Sequence, residues 1–225
     1  MSTTITCPSI VDIFSSGQTK HGNFKGVVNQ LKWRQRFQRS DFYELELSTT
    51  EIITVKQILN GELKGLGTGM QVWPAAHVMV KYLEKNYRHS QGLVGKTVCD
   101  IGTGTGITGI AAANLGAKVT LTDQQHLLAF MQENVTVAEI AGIVPKGSLL
   151  VAQYDWGENT ASLDLHFDFV LVSDCVLPKL YPIDILVEVR SALYDRDRVN
   201  THVAYIIFKV YFHFSSIFFI TKHRQ

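Results

Sequence analysis

Hydrophobic and polar positions follow two different periods along this chain. The run FYELEL at 42–47 alternates, and the segment 52–58 follows it, which predicts a short antiparallel pair of strands. From residue 96 onward, short apolar runs alternate with helical patterns. That rhythm is typical of βαβ units in a parallel sheet, so the pattern predicts an α/β protein with a small N-terminal β extension.

The repeating region predicts both the strands and the helices of that sheet. Ligands bind at the carboxyl ends of the strands in such sheets, so we expect the functional residues there. Pro74 stands in the first turn of a predicted helix, where proline is tolerated, and Gly142 ends a later one. The predicted strands are 98–101, 118–122, 148–153, 167–173 and 202–208, and the predicted helices are 74–82 or beyond, 106–115, 125–141 and 182–193.

The patterning divides the 225 residues into three parts. Residues 1–40 carry little pattern and predict a flexible leader. Residues 41–209 hold the strands and helices and predict one domain. Residues 210–225 have no clear period, which predicts an atypical tail outside that domain.

Composition narrows the class of protein and its location. A net charge of +1 argues against broad electrostatic capture of nucleic acid. The apolar stretch 203–220 is interrupted by Lys209 near its middle, which disfavours a membrane span. Three cysteines without a C-x-x-C pair predict neither a disulfide framework nor a metal site. The cysteine usage fits a reducing intracellular compartment, so we expect a cytoplasmic protein, with the nucleus as an alternative location. We also expect a monomer.

The stretch DIGTGTG at 100–106 carries the most chemistry. An apolar strand ends in the carboxylate at position 100. Glycines then alternate with other residues up to position 106, where a helical pattern begins. Glycine backbone approaches a ligand closely and presents N–H groups at the helix start. The run 104–109 also satisfies G-x-G-x-x-G, so a dinucleotide is an open alternative at this point.

Asp100 shifts the choice of ligand. A carboxylate just before the loop would repel a pyrophosphate, whereas it would accept hydrogen bonds from an ammonium group. The chain also leaves no room for a separate substrate domain after the sheet. S-adenosylmethionine meets these constraints, because it carries an amine, a sulfonium and a ribose but no phosphate.

The sequence resembles the class I, seven-β-strand methyltransferases. More narrowly, it is similar to methyltransferase family 16 and its methyltransferase-like-21-type protein-lysine methyltransferases. The resemblance implies a Rossmann-like parallel sheet with helices on both faces, S-adenosyl-L-methionine as methyl donor and a protein lysine as acceptor. The matching stretches are VWPAA at 72–76, DIGTGTG at 100–106, LTD at 121–123, YDWG at 154–157 and SDCV at 173–176.

The resemblance also implies roles for residues of the glycine loop and the next strand. Gly102, Thr103 and Gly104 would pass under the methionyl part of the cofactor, with Asp100 near its amine. Asp123 would bind both ribose hydroxyls, for which two carboxylate oxygens are suited. A helix N-cap is the alternative role for Asp123.

Two tryptophans belong to the implied cofactor site. Asp155 and Trp156 would flank the adenine, one accepting from its amino group and the other packing on the ring. Trp73 would lie near the cofactor, with a packing contact at the helix start as the alternative. Ser173, in the SDCV stretch, is assigned to the same site.

Asp174 is the residue that the resemblance places beside the acceptor. It would orient the incoming amine, and we assign no general base and no metal. In the family an aromatic follows three positions later, but here that position is Leu177, and Tyr181 lies further along.

Two alternatives keep the cofactor. The first is a methyltransferase for a small molecule or nucleobase. The second is a cofactor-binding but catalytically weak protein with a truncated C-terminus: the run 205–208 resembles the sixth family strand, and the pattern departs from the family after Lys209. Loss of the last strand would expose a sheet edge.

Overall fold

The elements follow the predicted alternation of strands and helices. A computed structural model of the chain describes residues 40–59, 67–158, 163, 167–175, 202–211 and 214–222. The strands are β1 (Phe42–Glu46), β2 (Ile52–Lys56), β3 (Thr97–Ile101), β4 (Lys118–Asp123), β5 (Leu149–Gln153), β6 (Phe169–Ser173), β7 (His202–Tyr211) and β8 (Phe214–Lys222). The helices are α1 (Pro74–Tyr87), α2 (Ile107–Asn114) and α3 (Leu128–Ile140), the last preceded by a 3₁₀ turn (Gln125–Leu127).

The main sheet confirms the predicted fold class. Within the described residues it has six strands in the order β5-β4-β3-β6-β7-β8. The first five are parallel, and β8 is antiparallel to β7. The central strands β3, β4 and β6 are buried along nearly their whole length, as expected for a parallel sheet covered on both faces.

The register brings four strand ends to one edge. Ile101 of β3 lies beside Thr122 of β4 and Val172 of β6, and Asp123 lies beside Gln153 of β5. The loops that follow these strands therefore meet at the carboxyl edge of the sheet.

The strands β1 and β2 form the predicted antiparallel hairpin. Their inward positions, Tyr43, Leu45, Ile53 and Val55, are buried in the main core. Strand β2 packs against α3 and α2, so the hairpin is attached to the helices that follow the glycine loop and β4.

The segment predicted as an atypical tail contains a strand. The sequence showed no period over residues 210–225, yet Phe214–Lys222 forms an antiparallel strand along β7, with Tyr211 opposite Phe214 at the turn. Cross-strand pairing, rather than a local pattern, defines this strand. The sequence left open that the last strand is missing. In the structure the sheet ends in an antiparallel edge strand, β8.

Some boundaries differ from the prediction. The predicted helix 125–141 begins as the 3₁₀ turn and becomes α-helical at Leu128. The predicted helix 182–193 and most of the predicted leader lie outside the described residues. No helix in the described part of the chain has the length and apolar character that a membrane span requires.

Candidate functional site

A cavity of about 470 Å³ lies at the carboxyl edge of the sheet. Its walls come from the loops after β3, β4, β5 and β6, together with the segment 67–73 before α1. Nine of the ten residues that the sequence assigned to the site line it: Trp73, Gly102, Thr103, Gly104, Asp123, Asp155, Trp156, Ser173 and Asp174.

Asp100, the tenth residue, lies beneath the cavity wall instead of in it. It is 1 % exposed, and its Oδ2 atom accepts hydrogen bonds from the hydroxyl of Thr103, at 2.6 Å, and from that of Thr108. Its Oδ1 atom is buried with no hydrogen-bond partner. Burial raises the pKa of Asp100 to about 6, although both threonine hydroxyls oppose the rise. The structure thus places Asp100 as a support for the glycine loop.

The glycine loop makes close backbone contacts that a side chain would block. Gly102 and Gly104 have φ values of 61° and 60°, the left-handed region that glycine adopts freely. A Cβ on Gly104 would overlap the carbonyl oxygen of Gly69. A Cβ on Gly102 would lie 3.0 Å from the Cys175 sulfur and 3.1 Å from the Trp156 ring. Glycine at these two positions therefore allows the loop after β3 to lie directly against the segment 67–73 and against the loops after β5 and β6.

Asp123 extends from the end of β4 toward the glycine loop. Its Oδ2 atom accepts the N–H of Gly104 at 2.9 Å, and its Oδ1 atom accepts the N–H of Gln124 at 2.8 Å. Burial raises the pKa of this carboxyl above its usual range. The residues at the N-cap positions of the 3₁₀ turn and α3 are Gln124 and Leu127, so Asp123 does not serve as the helix N-cap considered from the sequence.

Asp155 and Trp156 form the wall after β5. The carboxylate of Asp155 accepts hydrogen bonds from the side-chain amides of Gln153, at 2.8 Å, and Gln124, at 3.3 Å. The ring of Trp156 packs against a buried cluster that includes Ile101, Tyr154 and Phe167, and it faces Gly102. Trp156 therefore packs on the core with part of its ring and lines the cavity with another part.

Trp73 stands at the start of α1, on the opposite wall. Its indole N–H donates to the carbonyl of Thr68 at 2.9 Å, and the residue is 38 % exposed. The ring therefore lines the cavity instead of packing into the core.

Asp174 and Ser173 close the wall after β6. Asp174 has φ 57°, in the left-handed region, and burial raises its pKa to about 7. The hydroxyl oxygen of Ser173 is buried without a hydrogen-bond partner in the structure. Leu177 and Tyr181 lie outside the described residues.

The sequence missed several residues of the site. Thr108, His126, Tyr154 and Cys175 also line the cavity. Cys175 is a buried free thiol whose pKa burial raises well above its ordinary value, and its S–H donates to the carbonyl of Ile101 at 3.3 Å. Thr108, the second residue of α2, has no local sequence signal of its role, because its hydrogen bond to Asp100 forms only when α2 packs over β3.

The charge of the lining is one-sided. Three carboxylates, Asp123, Asp155 and Asp174, line the cavity, and its described lining contains no lysine or arginine. Such a wall attracts cations and repels phosphates. Within the described residues, no cluster of His, Cys, Asp or Glu is arranged to hold a metal ion.

Comparison with known proteins agrees with this geometry. The sequence model of the lysine methyltransferase family matches residues 54–222, which is more than half of the chain. The chain belongs to the lysine methyltransferase family. The match runs from β2 through β8, so it includes the whole cavity edge and the strand that the sequence pattern did not predict.

Curated protein-lysine methyltransferases are similar to about half of the chain. The chain is 38 % identical over 132 residues to protein N-lysine methyltransferase METTL21A of Danio rerio, covering 55 % of this chain and 56 % of that protein. It is 36 % identical over 119 residues to EEF1A lysine methyltransferase 3 of Xenopus tropicalis, covering 52 % and 50 %. The chain thus spans about half the length of the curated relatives it matches.

Solved structures share the fold. An rRNA N2 G1207 methyltransferase from T. Thermophilus, in complex with AdoMet and guanosine, superposes with a TM-score of 0.55 at 15 % identity, covering 81 % of this chain and 50 % of that one. A SAM-dependent methyltransferase from Agrobacterium tumefaciens has a TM-score of 0.51 at 13 % identity, covering 76 % and 54 %. The chain therefore has the class I methyltransferase fold.

Proposed function

We propose that this protein transfers a methyl group from S-adenosylmethionine to the side-chain amine of a lysine in a protein substrate. The observation that carries the proposal is the cavity itself: a glycine-backed wall, three carboxylates and no described lysine or arginine in the lining. Membership in the lysine methyltransferase family supports the acceptor.

The residues of the cavity fit this donor better than a phosphate-bearing cofactor. A dinucleotide brings a pyrophosphate, which needs cationic or N–H partners and would meet carboxylates here. S-adenosylmethionine carries cationic groups and a ribose diol, both of which carboxylates bind. The overlap of a Cβ on Gly104 with Gly69 shows that the loop comes as close to its neighbour as bare backbone permits.

Each part of the wall has a task toward that donor. Asp123 offers carboxylate oxygens to the ribose while its hydrogen bond from Gly104 keeps it against the loop. Asp155 is held by Gln153 and Gln124 at the place proposed for the adenine, and Trp156 supplies an aromatic face there. The unpartnered hydroxyl of Ser173 is free to bond a ligand.

Asp174 orients the acceptor. When bound, S-adenosylmethionine would supply the methyl group: the lone pair of a neutral amine would attack the methyl carbon in line with the C–S bond, and S-adenosylhomocysteine would leave as that bond breaks. The carboxylate of Asp174, close to an amine in the cavity, would accept one of its N–H hydrogens and fix the direction of its lone pair. Alignment of this kind contributes several kcal/mol to such a reaction. The chain therefore needs to position and desolvate the amine, without covalent participation.

The experiment follows the label from the donor. Purified protein is incubated with S-adenosylmethionine tritiated on its methyl group and a cell extract depleted of small molecules, and the products are treated with protease or nuclease. We expect protease-sensitive label that elutes as methyl-lysine after acid hydrolysis. Nuclease-sensitive label, or label recovered in small molecules added back to the extract, would contradict the proposed acceptor.

A variant of the donor site provides the control. D123A removes the carboxylate proposed for the ribose and should abolish the label. If the D123A protein labels the extract as strongly as the wild type, a contaminating enzyme is the source of the label, and the labelling no longer supports the proposed function.

A further inference from the structure

Two walls of the cavity are connected through three consecutive residues of the N-terminal hairpin. Residues 56–58, which we call the hairpin brace, end β2 and continue into the next loop. The N–H of Ile58 donates to the carbonyl of Met70 at 2.6 Å, which attaches the segment 67–73. The two residues before it make further buried hydrogen bonds: the backbone of Lys56 pairs with the side-chain amide of Asn134, and Gln57 bonds through its own side-chain amide.

Asn134 of α3 connects the brace to the glycine loop. It is 0 % exposed and carries three hydrogen bonds, all to backbone. Its Oδ1 atom accepts the N–H of Lys56 at 2.7 Å, and its Nδ2 atom donates to the carbonyl of Lys56 at 3.2 Å and to the carbonyl of Thr105 at 2.9 Å. The side chain therefore pairs with Lys56 as a neighbouring strand would, while it holds one peptide plane of the glycine loop.

Gln57 connects the brace to the opposite wall. It is 1 % exposed, its Oε1 atom accepts the N–H of Val72 at 3.2 Å, and its Nε2 atom donates to the carbonyl of Ser40 at 2.8 Å. Val72 directly precedes Trp73, the aromatic residue of that wall. The position of Trp73 is thus tied to the brace.

The two walls also meet each other, because Gly104 lies directly against the carbonyl of Gly69. The brace, the glycine loop and the segment 67–73 therefore each contact the other two, and together they form one side of the cavity. Neither Gln57 nor Asn134 lines the cavity.

We propose that Asn134 and Gln57 are positioning residues of the donor site, and that the N-terminal hairpin sets the shape of the methyl-donor cavity through them. The inference rests on the proposed function for the identity of the donor. When a substitution removes a buried amide donor, the backbone carbonyl that accepted from it has no hydrogen bond, and the loop moves until water can reach that carbonyl. Loss of the Asn134 contact should therefore loosen the glycine loop, and loss of the Gln57 contact should loosen the segment 67–73.

The test compares two neighbouring residues of α3. N134D has nearly the same shape and keeps the acceptor for Lys56 N–H, but as a carboxylate it has no donor for the carbonyls of Lys56 and Thr105. E133Q is the matched control, because Glu133 contacts the same hairpin residue through an ion pair to Lys56 at 2.7 Å on the solvent side. We expect N134D to weaken S-adenosylmethionine binding about 10-fold or more by calorimetry, and E133Q to leave it unchanged.

Hydrogen exchange provides a readout that does not depend on the donor. In N134D the amides of residues 103–106 should exchange faster than in wild type, whereas E133Q should leave them unchanged. In Q57L the faster exchange should fall on residues 70–73 instead. N134S, which keeps one hydroxyl donor in a smaller side chain, is measured in the same way if N134D does not unfold cooperatively in urea.

The outcomes separate this inference from the proposed function. Wild-type affinity and wild-type exchange at 103–106 in a folded Asn134 variant would overturn the inference. Failure of the wild-type protein to bind S-adenosylmethionine would instead count against the proposed function, and the exchange comparison between N134D and E133Q would then decide the inference by itself.

Discussion

The carboxylates around the cavity have different tasks because their surroundings differ. Asp123 and Asp155 each accept two hydrogen bonds from neighbouring amides, which fixes their direction. Asp100 is enclosed below the wall, where two threonine hydroxyls share one of its oxygens. Asp174 is largely desolvated at the end of β6. These surroundings suit one residue type to three different roles: the proposed ligand contacts, support of the glycine loop and the proposed positioning of the acceptor.

The close approach at Gly104 gives the first prediction. G104A forces a Cβ into the carbonyl of Gly69 and should weaken S-adenosylmethionine binding roughly 100-fold or more as the walls separate. G147A is the control, since Gly147 also has a positive φ, 76°, but nothing within 4 Å of its Cβ position. G147A should lose about 1 kcal/mol of stability through backbone strain and should bind S-adenosylmethionine as the wild type does. Equal binding by both variants, measured by calorimetry, would argue against a tight loop contact.

The buried Asp100 gives a prediction about stability and pH. Its pKa is raised from 3.8 to about 6, so the folded state retains a proton that the unfolded state releases between these values. Stability should therefore fall as pH rises from about 4 to about 6 and stay lower above it, by about 3 kcal/mol at most.

D100N removes this titration, and the threonine hydroxyls can turn to accept from its amide. The free energy of unfolding of D100N relative to wild type should thus increase between pH 4 and pH 7 in urea titrations. D41N, at an exposed position, serves as control. A difference that stays constant with pH would show that Asp100 does not titrate in that range.

Asp174 gives a prediction about catalysis and pH. Burial raises its pKa to about 7, so its acceptor form is lost as pH falls through neutrality. The kcat/KM for a protein substrate should rise through about pH 7 in wild type, and D174N should lack this inflection. At pH 8 D174N should be roughly 10-fold or more slower, the value of one charge-assisted hydrogen bond. Profiles of identical shape for the two proteins would contradict the orienting role.

At the scale of elements, local pattern predicts most of the fold. The period-two run before residue 58 and the apolar runs before Gly102, Gln124 and Asp174 each correspond to strands, because burial on one or both faces dictates their composition. Since parallel strands end at a common edge, the residues that follow them were also predictable as neighbours. Eight of the nine predicted residues that line the cavity lie at or just after these strand ends for this reason, and Trp73, at the start of α1, is the exception.

The elements and contacts that were not predicted depend on distant partners. Strand β8 is defined by its pairing with β7, and its sequence shows no alternation. Asn134 lies within an otherwise helical pattern, and its partners Lys56 and Thr105 are far away in the chain. Thr108 and Asp100 are likewise joined only once α2 packs over β3. Single positions of this kind carry no local signal of their role.

The strand β8 gives a prediction at this scale. A chain ended after Tyr211 leaves β7 as the edge of the sheet, and the nine residues of β7 that pair with β8, Val203 to Tyr211, lose those partners. We expect a lower unfolding temperature and concentration-dependent aggregation by light scattering. A chain ended after Lys222, which keeps all of β8, should behave as the full chain does. Equal solubility and stability of both shortened chains would mean that β8 does not protect this edge.

At the scale of the whole molecule, a nearly neutral protein carries a strongly acidic cavity. The net charge is only +1, yet the described lining of the site contains three carboxylates and no lysine or arginine. The charge that matters for ligand choice is therefore local, at the edge where the parallel strands end. An acidic lining attracts positive charge, which supports the proposed cationic donor and the proposed lysine acceptor.

The identity of the donor is tested most directly by calorimetric titration of the purified protein with S-adenosylmethionine and, separately, with NAD⁺. We expect saturable one-to-one binding of S-adenosylmethionine that D123A abolishes, and no heat of binding from NAD⁺. Binding of NAD⁺ without binding of S-adenosylmethionine would contradict the proposed donor.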